Sequence, residues 1–320
     1  MKYARTYLAT AAAAAVLATA CREMRSDAAA PEENRSIVVC GERIPIGTRV
    51  VLWDEPPYYD AYKPHPAFAD EGPEGPRFRP GRAVADAALQ ARVDERGFRP
   101  DELRDVVDQL VLHYDVCGVS RRCFRVLQDL RKLSVHFLLD IDGTIYQTLD
   151  LADQAWHATK ANPRSVGVEI ASIGAYPPEA DDPLDAWYAR DAAGLRIRIP
   201  AELGDGGVRT AGFVGRPARA EFVEGDLQGQ YLRQADFTPE QYEALIQLTA
   251  GLCRAFPRLA PDAPRGAEGR VKDGVLTDAE FDAFGGVLGH YHVQENKVDP
   301  GPGFDWEPFL ARVRAELERR

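Results

Sequence analysis

The sequence lacks an excess of positive charge. Its 50 Asp and Glu residues outnumber its 39 Lys and Arg residues, and the formal net charge is −11. Proteins that bind nucleic acids or anionic lipid headgroups do so mainly through basic patches. The charge balance therefore argues against a nucleic-acid partner and against membrane binding through charge.

Long hydrophobic runs are also nearly absent. Only residues 7–20 form an apolar, alanine-rich stretch, which is too short and too rich in small residues to form a typical transmembrane helix. It follows a basic start and ends in Leu-Ala-Thr-Ala before Cys21, a pattern typical of an export signal. Small residues before a cysteine resemble the bacterial lipoprotein cleavage box, although Ala18 stands where that box more often has Leu. We expect residues 1–21 to be a signal peptide, with Cys21 as a lipid-anchor candidate facing the periplasm at the outer membrane; ordinary cleavage and secretion is the alternative.

Cysteine is scarce, with five residues in the chain. If Cys21 carries lipid, Cys40, Cys117, Cys123 and Cys253 remain, and an even number in an exported protein suggests disulfides. Cys117 and Cys123 are six positions apart, so a bridge between them would close a short loop. Cys40 and Cys253 either pair through the fold or stay as buried thiols.

The composition changes along the chain in a way that predicts four regions. Residues 22–35 are polar and predict a flexible tether. Residues 36–97 hold short β-type runs and a loop rich in Pro, Gly and Tyr, and predict an N-terminal extension. Residues 98–320 predict the main domain, with an irregular insertion at about 173–236.

Strand and helix signals alternate within the main domain. Apolar runs predict strands at 108–114, 135–140, 144–149 and 165–171. Asp142 and Gly143 between the second and third runs predict a hairpin. Helical spacing and capping signals predict helices at 120–133, 238–256, 278–284 and 306–319. This order predicts an α/β (or α+β) fold with a central mixed β-sheet flanked by helices.

Two histidines and one carboxylate have the chemistry of a metal site. His113 closes an apolar strand, His290 follows an apolar Gly-Val-Leu-Gly segment, and Asp299 lies nine residues later. A lone histidine in such a place is more often a satisfied core residue. Together, however, imidazole and carboxylate ligands suit Zn²⁺, and three protein ligands leave a fourth position open for water, as catalytic sites require.

Two charged residues fit a hydrolytic reaction at such a site. Glu169 interrupts an apolar strand, where a carboxylate is costly unless it is paired or functional. It could serve as a general base and acid, or be an inward polar residue satisfied by backbone groups. Lys297 could stabilise an oxyanion, or be an ordinary solvated lysine.

A series of dispersed motifs resembles one known family. The motifs are His113-Tyr, Ser-Val-His136-Phe, Asp142-Gly-Thr-Ile-Tyr-Gln, Ala-Trp-His157-Ala, Asn162, Ser-Val-Gly-Val-Glu169, Gly-His290 and Lys297-Val-Asp299-Pro-Gly-Pro. In order and spacing they resemble the zinc-dependent N-acetylmuramoyl-L-alanine amidase type 2 family, which is related to the peptidoglycan recognition proteins. The resemblance covers roughly residues 100–310.

The resemblance implies an activity and a set of roles. The family cleaves the amide between N-acetylmuramic acid and L-alanine in peptidoglycan or muropeptides. Carried to matching positions, the resemblance implies that the zinc ligands are His113, His290 and Asp299. It implies that the catalytic pair is Glu169 and Lys297, and that the substrate groove is lined by His157 and Asn162. A fourth ligand at His157 would fill the open position. Cys117 and Cys123 fall where the recognition proteins have a short disulfide, which favours their pairing.

Departures from the family pattern leave alternatives. The spacing from His290 to Lys297 is one residue shorter than usual, so His292 is a rival second ligand. Val135 stands where some relatives place a catalytic tyrosine, and His136 beside it is expected to be structural or to shape the substrate site. Two other functions are compatible with the motifs: a peptidoglycan-binding module without catalysis, and a zinc peptidase that acts within the stem peptide.

Overall fold

A computed structural model describes residues 33–178 and 183–319 of the chain. The predicted signal peptide, Cys21 and nearly all of the predicted tether lie outside these residues. From residue 34 onward the chain forms one structural unit. In the part of the chain that the structure describes, no helix combines the length and the hydropathy needed to cross a membrane.

The described residues form strands and helices in the following order. The strands are β1 (Ser36–Val39), β2 (Glu42–Pro45), β3 (Val50–Leu52), β4 (Phe78–Arg79), β5 (Gln109–Tyr114), β6 (Phe137–Leu139), β7 (Ile145–Gln147), β8 (Gln154–Ala155), β9 (Ser165–Ile170), β10 (Ala175–Tyr176), β11 (Tyr188–Asp191), β12 (Gly194–Ile197), β13 (Val223–Leu227), β14 (Gln230–Gln234) and β15 (Gly286–Gly289). The α-helices are α1 (Ala87–Arg96), α2 (Pro100–Val106), α3 (Ser120–Arg125), α4 (Leu184–Trp187), α5 (Pro239–Ala255), α6 (Asp278–Ala283), α7 (His290–Val293) and α8 (Trp306–Glu318). A π-helical turn, Val126–Arg131, continues α3.

A mixed six-stranded sheet occupies the centre, in the order β15-β5-β9-β6-β7-β3. The first four strands run parallel, β7 is antiparallel to β6, and β3 is parallel to β7. The predicted class, a central mixed sheet flanked by helices, is therefore confirmed. Parallel neighbours end at the same edge of a sheet, so His113 at the end of β5 lies opposite Glu169 of β9 and beside the end of β15.

The inner strands are apolar because both of their faces are covered. Leu110, Val111 and Leu112 of β5 are fully buried, which is typical of parallel strands packed on two sides. Helices α5 and α8 contribute to the largest core cluster, which also contains Leu110 and Leu112. The core thus fixes the strand ends on which the candidate site depends.

Helix α5 begins at the residue that its sequence predicts. The Thr238 hydroxyl accepts a hydrogen bond from the Gln241 backbone N–H at 3.0 Å, and the Gln241 side chain accepts one from the Thr238 N–H at 2.9 Å. Pro239 occupies the first helical position. This reciprocal capping satisfies donors that the first helical turn leaves unpaired.

The predicted N-terminal extension contributes directly to the sheet. Strand β3 is its edge strand, and the two helices α1 and α2 were not predicted. The fully buried Arg77 orders the Pro-rich loop, since its guanidinium donates to the backbone carbonyls of Pro64, Pro73 and Gln128. The predicted boundary at residue 97 therefore does not coincide with a break in the sheet.

The region predicted as an irregular insertion consists of short elements. Strands β10, β14 and β13 form a small antiparallel sheet, and β11 and β12 form a hairpin that follows α4. Leu184 and Trp187 of this region form a separate apolar cluster with Val119 and Ile141.

Candidate functional site

Three side chains from distant parts of the chain meet at the edge of the sheet. His113 is the penultimate residue of β5, His290 follows β15 directly, and Asp299 lies in the loop after α7. His113 Nδ1 is 3.0 Å from His290 Nδ1 and 2.9 Å from Asp299 Oδ2, and His290 Nδ1 is 3.0 Å from the same carboxylate oxygen. All three residues are buried. We call them the triad.

The triad has the donor set of a cation site. Two imidazole nitrogens and one carboxylate oxygen converge on a single point, and the distances of 2.9–3.0 Å between them approach the roughly 3.3 Å expected between ligand atoms around a tetrahedral zinc ion. Asp299 Oδ2 could accept a hydrogen bond from each Nδ1, but the two protonated nitrogens would then face each other at 3.0 Å, an arrangement that a cation between the three atoms would relieve. The three residues therefore fit Zn²⁺, with three protein ligands and a fourth position left open, as the sequence predicts.

The protonation states of the triad also suit a cation. Burial, followed by the adjacent His290, lowers the pKa of His113 to about 4. Burial alone would raise the pKa of Asp299, but the neighbouring His290 and His113 lower it overall. At neutral pH the carboxylate is ionised and His113 is neutral, and these are the forms that bind metals.

The outer nitrogens of both imidazoles have partners of their own. His113 Nε2 lies 3.0 Å from His157 Nδ1, and His290 Nε2 lies 2.7 Å from Gln294 Oε1. His157 Nε2 in turn lies 3.2 Å from Ser165 Oγ. If both triad nitrogens face a cation, each Nε2 carries the proton and donates outward, which assigns the tautomers from the network. Such outer contacts fix the orientation of metal-binding imidazoles.

Glu169 and Lys297 line the same cavity as the triad. This cavity has a volume of about 150 Å³. Glu169 is half-buried, and burial together with the nearby Asp299 raises its pKa well above its usual value, while Lys297 opposes the shift. A raised pKa makes the carboxylate a stronger base, as a group that accepts and then returns a proton requires.

An apolar wall lines the same cavity as these charged groups. The wall is formed by Val126, Leu127, Leu133 and Trp156, with the exposed Arg131 beside them. The π-helical turn supplies the first two residues and Arg131. The sequence predicted a regular helix over 120–133, so this contribution to the site was missed; no local signal distinguishes the wider turn.

The structure places the other predicted site residues around this centre rather than in it. His157 lines the cavity behind His113, outside the triad. The Asn162 side chain accepts hydrogen bonds from the backbone N–H groups of His157 and Ala158, at 3.1 and 2.7 Å. Asn162 thus fixes the turn that carries His157. Its predicted contact with substrate stays a prediction.

His292, the rival second ligand, points away from the triad. Its Nδ1 accepts a hydrogen bond from the Gly289 N–H at 2.9 Å, and its Nε2 lies 2.8 Å from the Lys272 carbonyl oxygen. Both ring nitrogens are therefore engaged in holding the turn after β15. His290 is the histidine of this pair that the structure brings to His113 and Asp299.

The four cysteines within the described residues are free thiols. Cys117 and Cys123 are buried close together, and Cys40 and Cys253 are half-buried free thiols. The disulfide predicted for Cys117 and Cys123 is not formed here, and that pairing stays a prediction.

Comparison with known proteins finds that part of the chain is similar to a known family. Residues 103–201 match the sequence model of the family described as N-acetylmuramoyl-L-alanine amidase. The predicted resemblance is confirmed by this match. The matched segment contains His113, His157 and Glu169 but ends before His290 and Asp299. The structure therefore supplies the remaining two members of the triad.

The chain is also similar to individual amidases. The 1,6-anhydro-N-acetylmuramyl-L-alanine amidase AmpD of Haemophilus influenzae is 22% identical over 185 residues, which cover 57% of this chain and 60% of that protein. The match thus spans less than two thirds of the relative's length.

Two solved structures can be superposed loosely. One is the N-acetylmuramyl-L-alanine amidase AmiD from E. coli in complex with anhydro-N-acetylmuramic acid-L-Ala-D-gamma-Glu-L-Lys, with 17% identity, a TM-score of 0.36, and coverage of 72% of this chain and 61% of that chain. The other is AmpDh3 from Pseudomonas aeruginosa in complex with anhydromuramic pentapeptide, with 19% identity, a TM-score of 0.36, and coverage of 64% and 59%.

Proposed function

We propose, from the match of residues 103–201 to the N-acetylmuramoyl-L-alanine amidase family, that this chain hydrolyses the amide bond between N-acetylmuramic acid and L-alanine. The substrate class is peptidoglycan or its muropeptide fragments. The observation that carries the proposal is the convergence of His113, His290 and Asp299 within 3.0 Å, beside Glu169 and Lys297. A module that only binds peptidoglycan has no use for this set of ligands.

The proposed cofactor is Zn²⁺, held by His113 Nδ1, His290 Nδ1 and Asp299 Oδ2. When bound, the ion would act as a Lewis acid, lowering the pKa of a water molecule and polarising the substrate carbonyl group. Gln294 and His157 orient the two imidazoles from behind.

The remaining chemistry belongs to two side chains of the cavity. The Glu169 carboxylate takes a proton from the attacking water and passes it to the departing alanine nitrogen. Its raised pKa supports this double role. The Lys297 ammonium group stabilises the negative charge that develops on the carbonyl oxygen. His157 and the apolar wall, which line the same cavity, are the proposed contacts of the substrate.

The proposed location is the bacterial cell envelope. The apolar stretch at 7–20 and the small residues before Cys21 support export with a lipid anchor at that cysteine, facing the periplasm from the outer membrane. Cys21→Ser is then expected to move the protein from the membrane fraction to the soluble fraction. A variant that stays in the membrane fraction would rule out the anchor.

Digestion of muropeptides, followed by mass spectrometry, tests the activity. We expect free stem peptides that begin with L-alanine, loss of these products with a chelator, and their return with added Zn²⁺. Glu169→Ala and Asp299→Ala are expected to abolish cleavage, because one removes the proton acceptor and the other a metal ligand. Glu268→Ala, at an exposed carboxylate, is the matched control.

The products separate the competing functions. Cleavage within the stem peptide would indicate a zinc peptidase instead. Binding of muropeptides without any cleavage by the zinc-loaded protein would indicate a binding module. Full activity in Glu169→Ala would remove that residue from the mechanism.

A further inference from the structure

A second group of potential metal ligands lies directly after the first ligand in the sequence. It consists of Asp115, Cys117 and Cys123, and we call it the thiol cluster. One carboxylate oxygen and the two sulfur atoms lie within 4.8 Å of one another. Cys117 and Cys123 are 5% and 2% exposed. None of these atoms belongs to the triad.

The Asp115 carboxylate is positioned by the backbone but only half satisfied. Its Oδ1 accepts hydrogen bonds from the N–H groups of Cys117, Gly118 and Ser172, at 2.8, 3.0 and 3.0 Å. Its Oδ2 is buried and has no hydrogen-bond partner among the described residues. A buried polar atom without a partner is costly, and each such atom in a folded protein requires an explanation.

The two thiols could form a disulfide or bind a cation, and these alternatives differ in whether the Asp115 carboxylate gains a partner. A disulfide between Cys117 and Cys123 offers no donor to Asp115 Oδ2, which would stay unpartnered. A divalent cation held between the two sulfur atoms would take an oxygen of the Asp115 carboxylate as a third ligand, and its charge would offset the cost of leaving Oδ2 without a hydrogen bond. Thiolate sulfur with carboxylate oxygen selects a thiophilic ion such as Zn²⁺.

We propose that Asp115, Cys117 and Cys123 form a second metal site, distinct from the triad, for a thiophilic divalent cation. The site ties the loop after β5 to helix α3. Its ligands line the same cavity as the triad, so an ion there strengthens the cavity wall. Its sulfur atoms belong to an apolar cluster with Tyr59 and Phe124, which keeps water away from them.

Cobalt substitution distinguishes the two sites. Full-length protein is purified under reducing conditions, stripped of metal and titrated with Co²⁺ alone. We expect two equivalents of bound Co²⁺ and a thiolate-to-cobalt charge-transfer absorption in the near ultraviolet. Cys117→Ser/Cys123→Ser is expected to lose one equivalent and the charge-transfer band. Cys40→Ser/Cys253→Ser is the matched control and is expected to keep both.

The triad is tested separately in the same titration. Asp299→Ala is expected to lose one equivalent while the charge-transfer band persists, so failure of the proposed function does not affect this result. Asp115→Asn, which keeps the side-chain oxygen that accepts from the backbone, is expected to weaken Co²⁺ binding at the thiol cluster. It serves as a second variant should the double serine variant fold poorly.

Two results would overturn the proposal. One is reduced protein, with all cysteines titrating as thiols, that shows no charge-transfer band at saturating Co²⁺. The other is a Cys117–Cys123 disulfide that persists under the reducing conditions, as detected by mass spectrometry.

Discussion

At the scale of single residues, His157 contacts the edge of the His113 ring that faces away from the triad. With the tautomers assigned above, its Nδ1 accepts a hydrogen bond from His113 Nε2–H at 3.0 Å, and its Nε2–H donates one to Ser165 Oγ at 3.2 Å. The ring of His157 packs over Gly167, where a Cβ atom would come within 2.7 Å of His157 Nδ1. The strand therefore needs glycine at this position so that the imidazole can lie flat behind His113.

His157→Ala is expected to weaken Zn²⁺ binding at the triad by about 10- to 100-fold, because the His113 ring loses the partner that fixes its tautomer. Competition with a chromophoric chelator measures the affinity, with the thiol cluster removed by serine substitutions. His65→Ala, at an exposed histidine of the Pro-rich loop, is the control. If His157→Ala binds Zn²⁺ as tightly as the wild type does, His157 does not support the metal site, and only its proposed contact with substrate remains.

His136 is a buried histidine that stays neutral in the folded protein. Burial and the adjacent Arg82 lower its pKa to about 3. Its Nδ1 accepts from the Gly167 N–H at 3.1 Å, so Nε2 carries the proton toward the Asp153 carbonyl at 3.0 Å. The His157 ring also faces it. This places His136 among structural residues, which was one of the two roles expected from the sequence.

The depressed pKa of His136 predicts a loss of stability in acid. As pH falls below about 6.5, His136 becomes protonated in the unfolded chain but stays neutral in the folded chain until the pH approaches 3. The free energy of unfolding therefore decreases over this range. Between pH 7 and 4.5 the free energy of unfolding of the wild type should fall by up to about 3 kcal/mol more than that of His136→Gln. Urea unfolding at both pH values measures the difference, and equal pH dependence in the two proteins would contradict it.

At the scale of elements, two helices share the same capping arrangement in different surroundings. Thr238 of α5 is fully buried and also donates to the Ile141 carbonyl at 2.8 Å, whereas Thr277 of α6 is exposed. Thr238→Ala is expected to lower the free energy of unfolding by about 2 kcal/mol, against roughly 0.5–1 kcal/mol for Thr277→Ala. Urea denaturation measures both, and equal losses would mean that the contact with Ile141 adds nothing.

Elements with strong local signals could be predicted from the sequence, and elements decided by tertiary contacts could not. Strand β5 and helix α5 carry an apolar run and a capping box of their own. Helix α1 buries only Val93, so its apolar periodicity is weak. The π-helical turn has no local sequence signal, and the place of β3 depends on pairing with a strand far along the chain.

The candidate site also has features that could be predicted from the sequence and features that depend on tertiary contacts. The ligand types were visible in the sequence, and the roles came from the family resemblance. The choice between His290 and His292 could not be made from spacing, because it depends on the short helix α7. There His292 turns back to the Gly289 N–H, which leaves His290 to face β5. The family resemblance favoured a disulfide between Cys117 and Cys123, which stays a prediction. The unpartnered oxygen of Asp115, on which the alternative depends, is visible only in the structure.

At the scale of the whole molecule, the triad joins segments that are far apart in the chain. A bound ion therefore stabilises the folded state relative to the unfolded chain, by about 2.7 kcal/mol at a free Zn²⁺ concentration 100 times the dissociation constant. In Cys117→Ser/Cys123→Ser, Zn²⁺ is expected to raise the thermal midpoint by roughly 5–10 °C. Scanning calorimetry measures this shift. The further substitution Asp299→Ala should remove it, and a shift that persists would place the ion elsewhere.

Strand β15 reaches its place beside β5 only late in the chain. His113 and His290 are 177 positions apart, and Asp299 follows nine positions later. A nascent polypeptide still emerging from the ribosome therefore carries the first half of the centre without the second. Under the proposed function, a chain that terminates before β15 lacks two of the three triad residues and is expected to be inactive, however well its earlier strands have folded.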